Sequence, residues 1–591
     1  MLAASTWVFC AGIPGISPTV AESCFILTTV FAIVITLFIC IGRKLPVRVR
    51  LNSIDISGVL FFIGICTDLI LFSVDRGLLM HRLLICCACL GVYVLTSIWL
   101  SYRFITRREL PAIFFFLMTA QLGWGWMQRS GVFASGYLPL SATGPFLNPA
   151  PFAIYLASGL PILFSYGVYL KNTVRGKGRL LPLALCVSCA GTALVLVAWS
   201  DSRAAWIGLF VSLMSCGFLY SGKMIRWGIL LFCLSFCFYF GKELYNYKKA
   251  SADGRVLIWQ ISARLAERHP ITGVGPGSFP AAFAEEQRLF FTSGVRGINL
   301  LTSGVRYAFN DYVQIFCETG AFGFFMFIFL ILCLFSRIVR FVFLTHPDGK
   351  DRSRVIGISG AMIVLFVAAV FSYPLYMLPV CVELTILSSL ISFCCGGKSY
   401  ISLGRLSGPG AALVLCLLLT PGCSLAAAFE AGRLRSFNSF YRIVKGRAWS
   451  EGAIPEQEAL QSLYPALHNE QAYRDRLCEA LRIRGHYKKE IEVLEKERQI
   501  QPEPSTYYEL GIAYEKTGNF RKAEEVYIYA SETFPGLIRP FYYLAMLYLR
   551  NDDREKWLFF AGKVLSLHPK IASIEVEEMK NEIRRRLVPV R

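Results

Sequence analysis

The feature that most restricts this chain is a series of apolar runs, each long enough to cross a hydrocarbon layer about 30 Å thick. They recur near 24–41, 54–73, 81–100, 109–127, 151–170, 180–199, 204–220, 225–241, 312–336, 355–373, 375–395 and 408–428. Inside lipid every backbone N–H and C=O must be satisfied within its own segment, so runs of this length read as helices. About twelve spans are expected, and the fold class is an all-α polytopic membrane protein with a membrane domain over residues 1–428. A chain of 591 residues with 55% hydrophobic and 17% charged residues fits neither a soluble class nor one compact domain. Pro14 and Pro18 break any helix at the very start, and no charged leader precedes them. Most of the twenty cysteines, among them Cys86, Cys87 and Cys89, lie in apolar runs where thiols pack as small hydrophobes. Neither a disulfide framework nor a metal site follows from them, and no cofactor is expected.

The short connections fix an orientation. GRKLPVRVR, SYRFITRRE, KNTVRGKGR, SGKMIR, RIVRFVFLTHPDGKDRSR and GGKSYISLGR fall at every second crossing and carry most of the basic residues. The positive-inside rule places them in the cytoplasm. The loop carrying SATGPFLNPAPF, the WSDSRAAW turn, a long stretch over 242–311, the SYPLYM turn and the tail after Glu430 then all face outward.

The 242–311 stretch is the one long polar interruption between apolar runs, so ligand binding is expected there. Its RHPITGVGPGSF segment sets three glycines among two prolines, which favours tight turns with free backbone N–H groups. Such a turn reads either as a phosphate or oxyanion cradle or as ordinary loop punctuation. From Lys242 to Ala308 there are nine Lys or Arg against five Asp or Glu, a net of +4. Long loops escape the positive-inside rule, so this excess fits attraction of an anionic lipid or a plain solvated surface. The overall net charge of +20 is largely topogenic, and no nucleic-acid module accompanies it. Asp68 and Glu383 fall inside predicted spans, where a carboxylate faces a cavity or hydrogen-bonds to a neighbouring helix.

After about residue 429 the chain becomes charged and rich in Tyr, Glu, Lys and Arg, which marks a separate helical domain over 429–591. Pro502, Pro535 and Pro569 recur at intervals of 33 and 34 residues. Between them Tyr507, Leu510, Gly511, Tyr514, Ala523, Tyr527 and Ala530 match the tetratricopeptide pattern of small and large residues where paired helices cross. Such repeats either bind a partner protein on a concave surface or cap the membrane domain.

Four segments, SATGPFLNPAPFAIYLA, SDSRAAWIGLF, GRVLIWQISARLAERHPITGVGPGSF and FNDYVQIFCETGAFGFF, together resemble the bacterial O-antigen ligase family in order and spacing. The resemblance covers roughly residues 55–400. That family includes lipopolysaccharide O-antigen ligases, related polymerases and protein O-oligosaccharyltransferases. The resemblance implies transfer of a glycan from undecaprenyl pyrophosphate to an acceptor hydroxyl at the outer face of the bacterial inner membrane, without a metal. The acceptor is then a glycolipid, a glycan or a protein. It also implies pyrophosphate-binding roles for Arg203, in SRAAW, and Arg255, in R-x-x-x-W. Guanidinium suits that role because it stays charged and offers forked donors; the bland reading of Arg203 is an interfacial, snorkelling side chain.

One position departs from the family. Where its members carry a histidine before the asparagine, proposed to activate the acceptor hydroxyl, this chain has Phe309, which takes no proton. Glu318 and His269 are the candidate bases, with Asn310 and Asp311 as positioning groups. The alternative is that no strong base acts, pyrophosphate being a good leaving group. Loss of the histidine also leaves open a non-catalytic transporter or assembly scaffold for lipid-linked glycans.

The parity count makes a testable statement. Reporter fusions after Lys248 and after Arg591 are both expected to read as extracytoplasmic, and a cytoplasmic signal from either breaks the topology.

Overall fold

The computed structural model describes residues 18–43, 49–50, 52–72, 76–104, 110–133, 135, 141–146, 148–173, 180–294, 304–345, 349–395, 400–401, 409–445, 454–468, 470–568 and 573–587. Each apolar run coincides for most of its length with a helix. These are α1 (Pro18–Gly42), α2 (Ser53–Phe72), α3 (Arg76–Ser101), α4 (Leu110–Arg129), α5 (Pro149–Thr173), α6 (Leu180–Trp199), α7 (Arg203–Tyr220) and α8 (Lys223–Tyr247). After α9 (Lys249–Arg268) and α10 (Phe279–Thr292) come α11 (Asp311–Leu344), α12 (Gly349–Ala369), α13 (Leu378–Cys395) and α14 (Pro409–Lys445). Nine of these helices are long and apolar enough, among the described residues, to cross a membrane. The chain is a multi-pass membrane protein. Besides helices, Val49–Arg50 pairs antiparallel with Tyr400–Ile401.

The bundle is built around α12, whose faces are lined by small residues that let neighbouring backbones approach. A Cβ on Gly360 would stand 2.6 Å from Pro161 of α5 and 2.7 Å from Cys216 of α7, and one on Gly208 would stand 2.9 Å from the Val364 carbonyl. Ser212 Oγ donates to the Gly360 carbonyl at 2.7 Å, tying α7 to α12 where lipid offers no competing partner. Glu383 in α13 takes the neighbouring-helix bond expected of it, accepting from Ser158 Oγ at 2.6 Å. Asp68 Oδ2 is buried and without a partner among the described residues.

The 242–311 stretch differs from the sequence expectation of a loop. Most of its described residues lie in α9 and α10, because apolar positions such as Leu257, Ile261 and Leu265 recur at helical spacing and pack on Phe279, Phe283 and Phe290. A small hydrophobic core therefore stands beside the bundle rather than a mobile strand of polar chain.

The tail forms α15 (Ile454–Leu467), α16 (Gln471–Ile483), α17 (Tyr487–Ile500), α18 (Pro504–Lys516), α19 (Phe520–Thr533), α20 (Ile538–Arg550), α21 (Arg554–Ser566) and α22 (Ile574–Leu587). Consecutive helices pair, and Gly511 is where α18 and α19 cross most closely: a Cβ there would meet the Tyr527 ring at 2.1 Å. The expected boundary at 428/429 lies inside α14, which runs unbroken to Lys445 and places Glu430 in the bundle and Phe437 in the core of the tail.

The tail also grips α10. Gln287 Nε2, fully buried, donates to the Thr533 carbonyl at 2.7 Å, Arg288 pairs with Glu532 at 3.1 Å, and Tyr529 OH donates to Glu285 at 2.7 Å. Arg306, just before the site, reaches Glu503 at 3.3 Å and Gln471 at 2.5 Å. The Arg288 hydrogen bond holds the Glu285 carboxyl below its ordinary value of 4.5. Its contribution to docking is therefore present at neutral pH and lost as pH falls through that lowered value. Arg288→Glu removes the charge-assisted bonds and opposes Glu532, a loss of about 1–2 kcal/mol. Hydrogen exchange in α10 and α19 is expected to rise together in that variant; unchanged protection in either helix would show that the contact does not hold the two domains together.

Candidate active site

The turns assigned to one side by charge parity converge at one end of the bundle, around a break in α11. Gly320 has φ +62° and ψ −166°, which interrupts the helical ladder. The carbonyls of Cys317 and Glu318 then accept from the N–H groups of Val274 and Gly275 at 2.9 and 2.8 Å, while Ala321 N donates to Pro270 O at 2.8 Å. Two backbones meet with no room for side chains: a Cβ on Gly320 would stand 2.1 Å from Ile271 O, and one on Gly273 2.4 Å from Glu318 O. The Gly/Pro segment is thus a docking turn. The N–H groups of Val274 and Gly275, which a phosphate cradle would need, are already bonded to α11.

Glu318 completes this junction. It is 3% exposed and accepts from Gln314 Nε2 at 3.2 Å, from Tyr376 OH at 2.9 Å and from the Gly277 N–H. Gln314 Oε1 in turn accepts from Ala308 N at 2.9 Å. Its oxygens are occupied and its surroundings closed, so the carboxylate acts here as a clamp on the turn. His269 is the exposed C-cap of α9 and opens the turn, its carbonyl accepting from Gly273 N at 3.1 Å, and its side chain bonds to no other site residue among those described.

Asn310 is the N-cap of α11, its side chain accepting from Tyr312 N at 3.0 Å and Val313 N at 3.1 Å, as an asparagine preceding a helix should. Asp311 is fully buried, with Oδ2 accepting from Leu375 N at 2.9 Å and Oδ1 unpartnered among the described residues. Phe309, at the position of the family histidine, takes φ +53°, a strained conformation for a bulky residue. Its ring lies edge-on to Tyr373 at 5.4 Å and beneath the Arg255 guanidinium at 5.3 Å.

Arg255 projects from α9 and donates to Phe371 O at 2.7 Å. Burial, and then the charge of Arg203, bring its pKa down to about 10, so it remains a cation at neutral pH. Arg203 stands at the first turn of α7, behind its N-cap Ser202, and reaches toward the Tyr245 carbonyl at 3.5 Å. Two arginines far apart in sequence are thereby brought within electrostatic reach of each other. Asp201 beside them is engaged by Lys248 at 2.5 Å and by Tyr247 at 2.7 Å.

Several site residues were not singled out from sequence. Asn148, in the NPAPF loop, donates to Tyr373 OH at 2.8 Å, and Tyr373 stacks on Tyr307 at 4.1 Å, with Tyr376 at 6.0 Å from Tyr307. Arg82 donates to Pro276 O at 2.8 Å, and its guanidinium fills the space a Cβ on Gly277 would need. The available signal was a cation inside an apolar run. His81 next to it bonds Glu430 at 2.9 Å and Glu22 at 3.0 Å, joining α3 to α14 and α1. No three His, Cys, Asp or Glu side chains among the described residues come together so as to hold a metal ion.

Residues 188–328 match the family described as O-Antigen ligase. That stretch holds Arg203, Arg255, His269, Asn310, Asp311 and Glu318, and it supports an O-antigen ligase or polymerase type of activity on a lipid-linked glycan. No curated protein matches the chain. The helix break lies in the same stretch, and Gly320→Ala combines a backbone conformation reserved for glycine with overlap on Ile271, a cost of about 1–3 kcal/mol or more. A lower Tm in detergent is expected for it, whereas Gly254→Ala, with open space around it, is expected to melt as the parent does. Equal melting of all three proteins would remove the junction as a structural keystone.

Proposed function

We propose that this chain moves a glycan from undecaprenyl pyrophosphate to a hydroxyl of a glycolipid, glycan or protein acceptor at the outer face of the bacterial inner membrane. The observation that carries the proposal is the convergence of Arg203 and Arg255, two cations whose mutual repulsion a diphosphate relieves. On this reading the acceptor oxygen attacks the anomeric carbon and the bond from that carbon to the pyrophosphate oxygen breaks. Undecaprenyl pyrophosphate then leaves against the two guanidiniums, and the hydroxyl proton passes to solvent.

The clamped state of Glu318 and the exposed position of His269 at the end of α9 favour the form of this mechanism in which no strong side-chain base acts. The barrier is then lowered by stabilising departing charge and by holding the two substrates against each other. Twelve spans with the 242–311 segment and the tail outside the membrane fit the grouping of the turns, and the paired helices of the tail fit tetratricopeptide repeats. The transfer reading needs neither metal nor cofactor.

Arg203→Ala and Arg255→Ala are each expected to lower glycan transfer by about 10²–10³, the effect of removing one charge-stabilising donor. Lysine at either position should restore only part, because a compact ammonium does not reproduce the fork. Transfer is measured with purified carrier-linked glycan in proteoliposomes. If both alanine variants kept rates within a few-fold of the parent, the pair would have no part in the reaction.

A further inference from the structure

Arg82 is a cation that the transfer chemistry at Arg203 and Arg255 does not use. It projects from α3, and one of its donors, Nη1, bonds Pro276 O at 2.8 Å. Nε and Nη2 have no hydrogen-bond partner among the described residues, and the side chain is half-buried. Among the described residues, the carboxylates close enough to act on it are Glu318 and Glu22. Glu318 bonds Gln314, Tyr376 and Gly277, Glu22 bonds His81 through Oε2, and neither forms an ion pair with Arg82. An unpaired guanidinium at the edge of a low-dielectric bundle is costly, and an anion from outside would offset that cost.

Its place in the site says which anion. Passing from Arg255, the order is Phe309, Tyr373, Tyr307 and Tyr376, with ring spacings of 5.4, 4.1 and 6.0 Å, and Tyr376 leads by its hydroxyl to Glu318 and Arg82. Arg255 and Arg82 are thus linked through a row of aromatic rings rather than by direct contact. Tyr307 and Tyr376 are half-buried, leaving ring surface of the kind that packs on the apolar faces of sugars.

We propose that Arg82 anchors a second anion subsite, in which the guanidinium holds a phosphate or carboxylate on an acidic sugar acceptor whose rings lie along Tyr307 and Tyr376. This rests on the transfer reading only in calling the occupant the acceptor; the anion subsite stands on its own geometry. Gly277 belongs to the subsite as the residue without a side chain against which the guanidinium lies.

The full chain in lipid nanodiscs is titrated with glucose 6-phosphate and with glucose. The phosphorylated sugar is expected to bind about tenfold more tightly, and Arg82→Gln, which can still donate to Pro276 O, is expected to erase that preference. Arg82→Lys should keep part of it, which also guards against a folding defect in the neutral variant. Arg203→Ala should leave the preference in place, and saturating bare undecaprenyl pyrophosphate should not displace the sugar phosphate. An unchanged preference in Arg82→Gln overturns the subsite, and so does an equal loss in Arg203→Ala. Displacement by glycan-loaded carrier but not by the bare carrier would assign the anion to the donor glycan and overturn the acceptor assignment. Parental transfer rates in Arg203→Ala and Arg255→Ala, with an intact Arg82 preference, would refute the transfer reading alone.

Discussion

The contact on which the site depends is between two backbones. Where α11 breaks at Gly320, the helix gives up its own ladder and its carbonyls are satisfied instead by the turn between α9 and α10. A broken helix at the edge of a membrane bundle would otherwise expose polar groups at a cost of several kcal/mol each. The junction fixes where α9 begins its return, and with it the position from which Arg255 extends. It also explains the composition of the turn: Gly273 and Gly320 are where the chains touch, and Gly277 is where Arg82 lies against the turn.

Around that junction, several charged and polar groups are tied up by their neighbours. Glu318, Gln314, Asn310 and the His81 cluster have their hydrogen-bonding capacity taken up by neighbours. Arg203, Arg255 and Arg82 are half-buried cations among carbonyls and aromatic rings. In a region of low dielectric, such an excess of positive charge is tolerated where an anion enters and is unfavourable otherwise. The aromatic row linking Arg255 and Arg82 supplies surface without charge, which suits a chemically neutral stretch of sugar between two acidic ends.

The C-terminal helices are held to the site region from two directions. Helix α14 carries Glu430 to His81, next to Arg82, while α17 and α19 pack on α10, and Arg306 ties the segment before Tyr307 to Glu503. Motion of the tail relative to the bundle therefore bears on the same turn that α11 receives. Individual exposed ion pairs contribute little, but Gln287 is buried in the contact and its bond to Thr533 is satisfied only when docked.

The apolar runs determined the helices and their all-α class, because lipid permits no other use of segments of that length and composition. Charge alternation grouped the turns that the structure brings to one end, and the family resemblance, with the chemistry of guanidinium, marked Arg203 and Arg255 as anion-binding candidates. What the sequence left undecided were the partners. Glycines in the Gly/Pro turn read equally as an anion cradle or as punctuation, since φ/ψ freedom is the same in both; only the bonds of Val274 and Gly275 to α11 decided it. Glu318 read as one of two candidate bases, and only the structure showed that Tyr376 and Gly277, distant in sequence, bond its oxygens. Arg82 gave little signal because its meaning lies in its surroundings, and the lack of an ion pair to it among the described residues is a property of tertiary packing rather than of any run of residues.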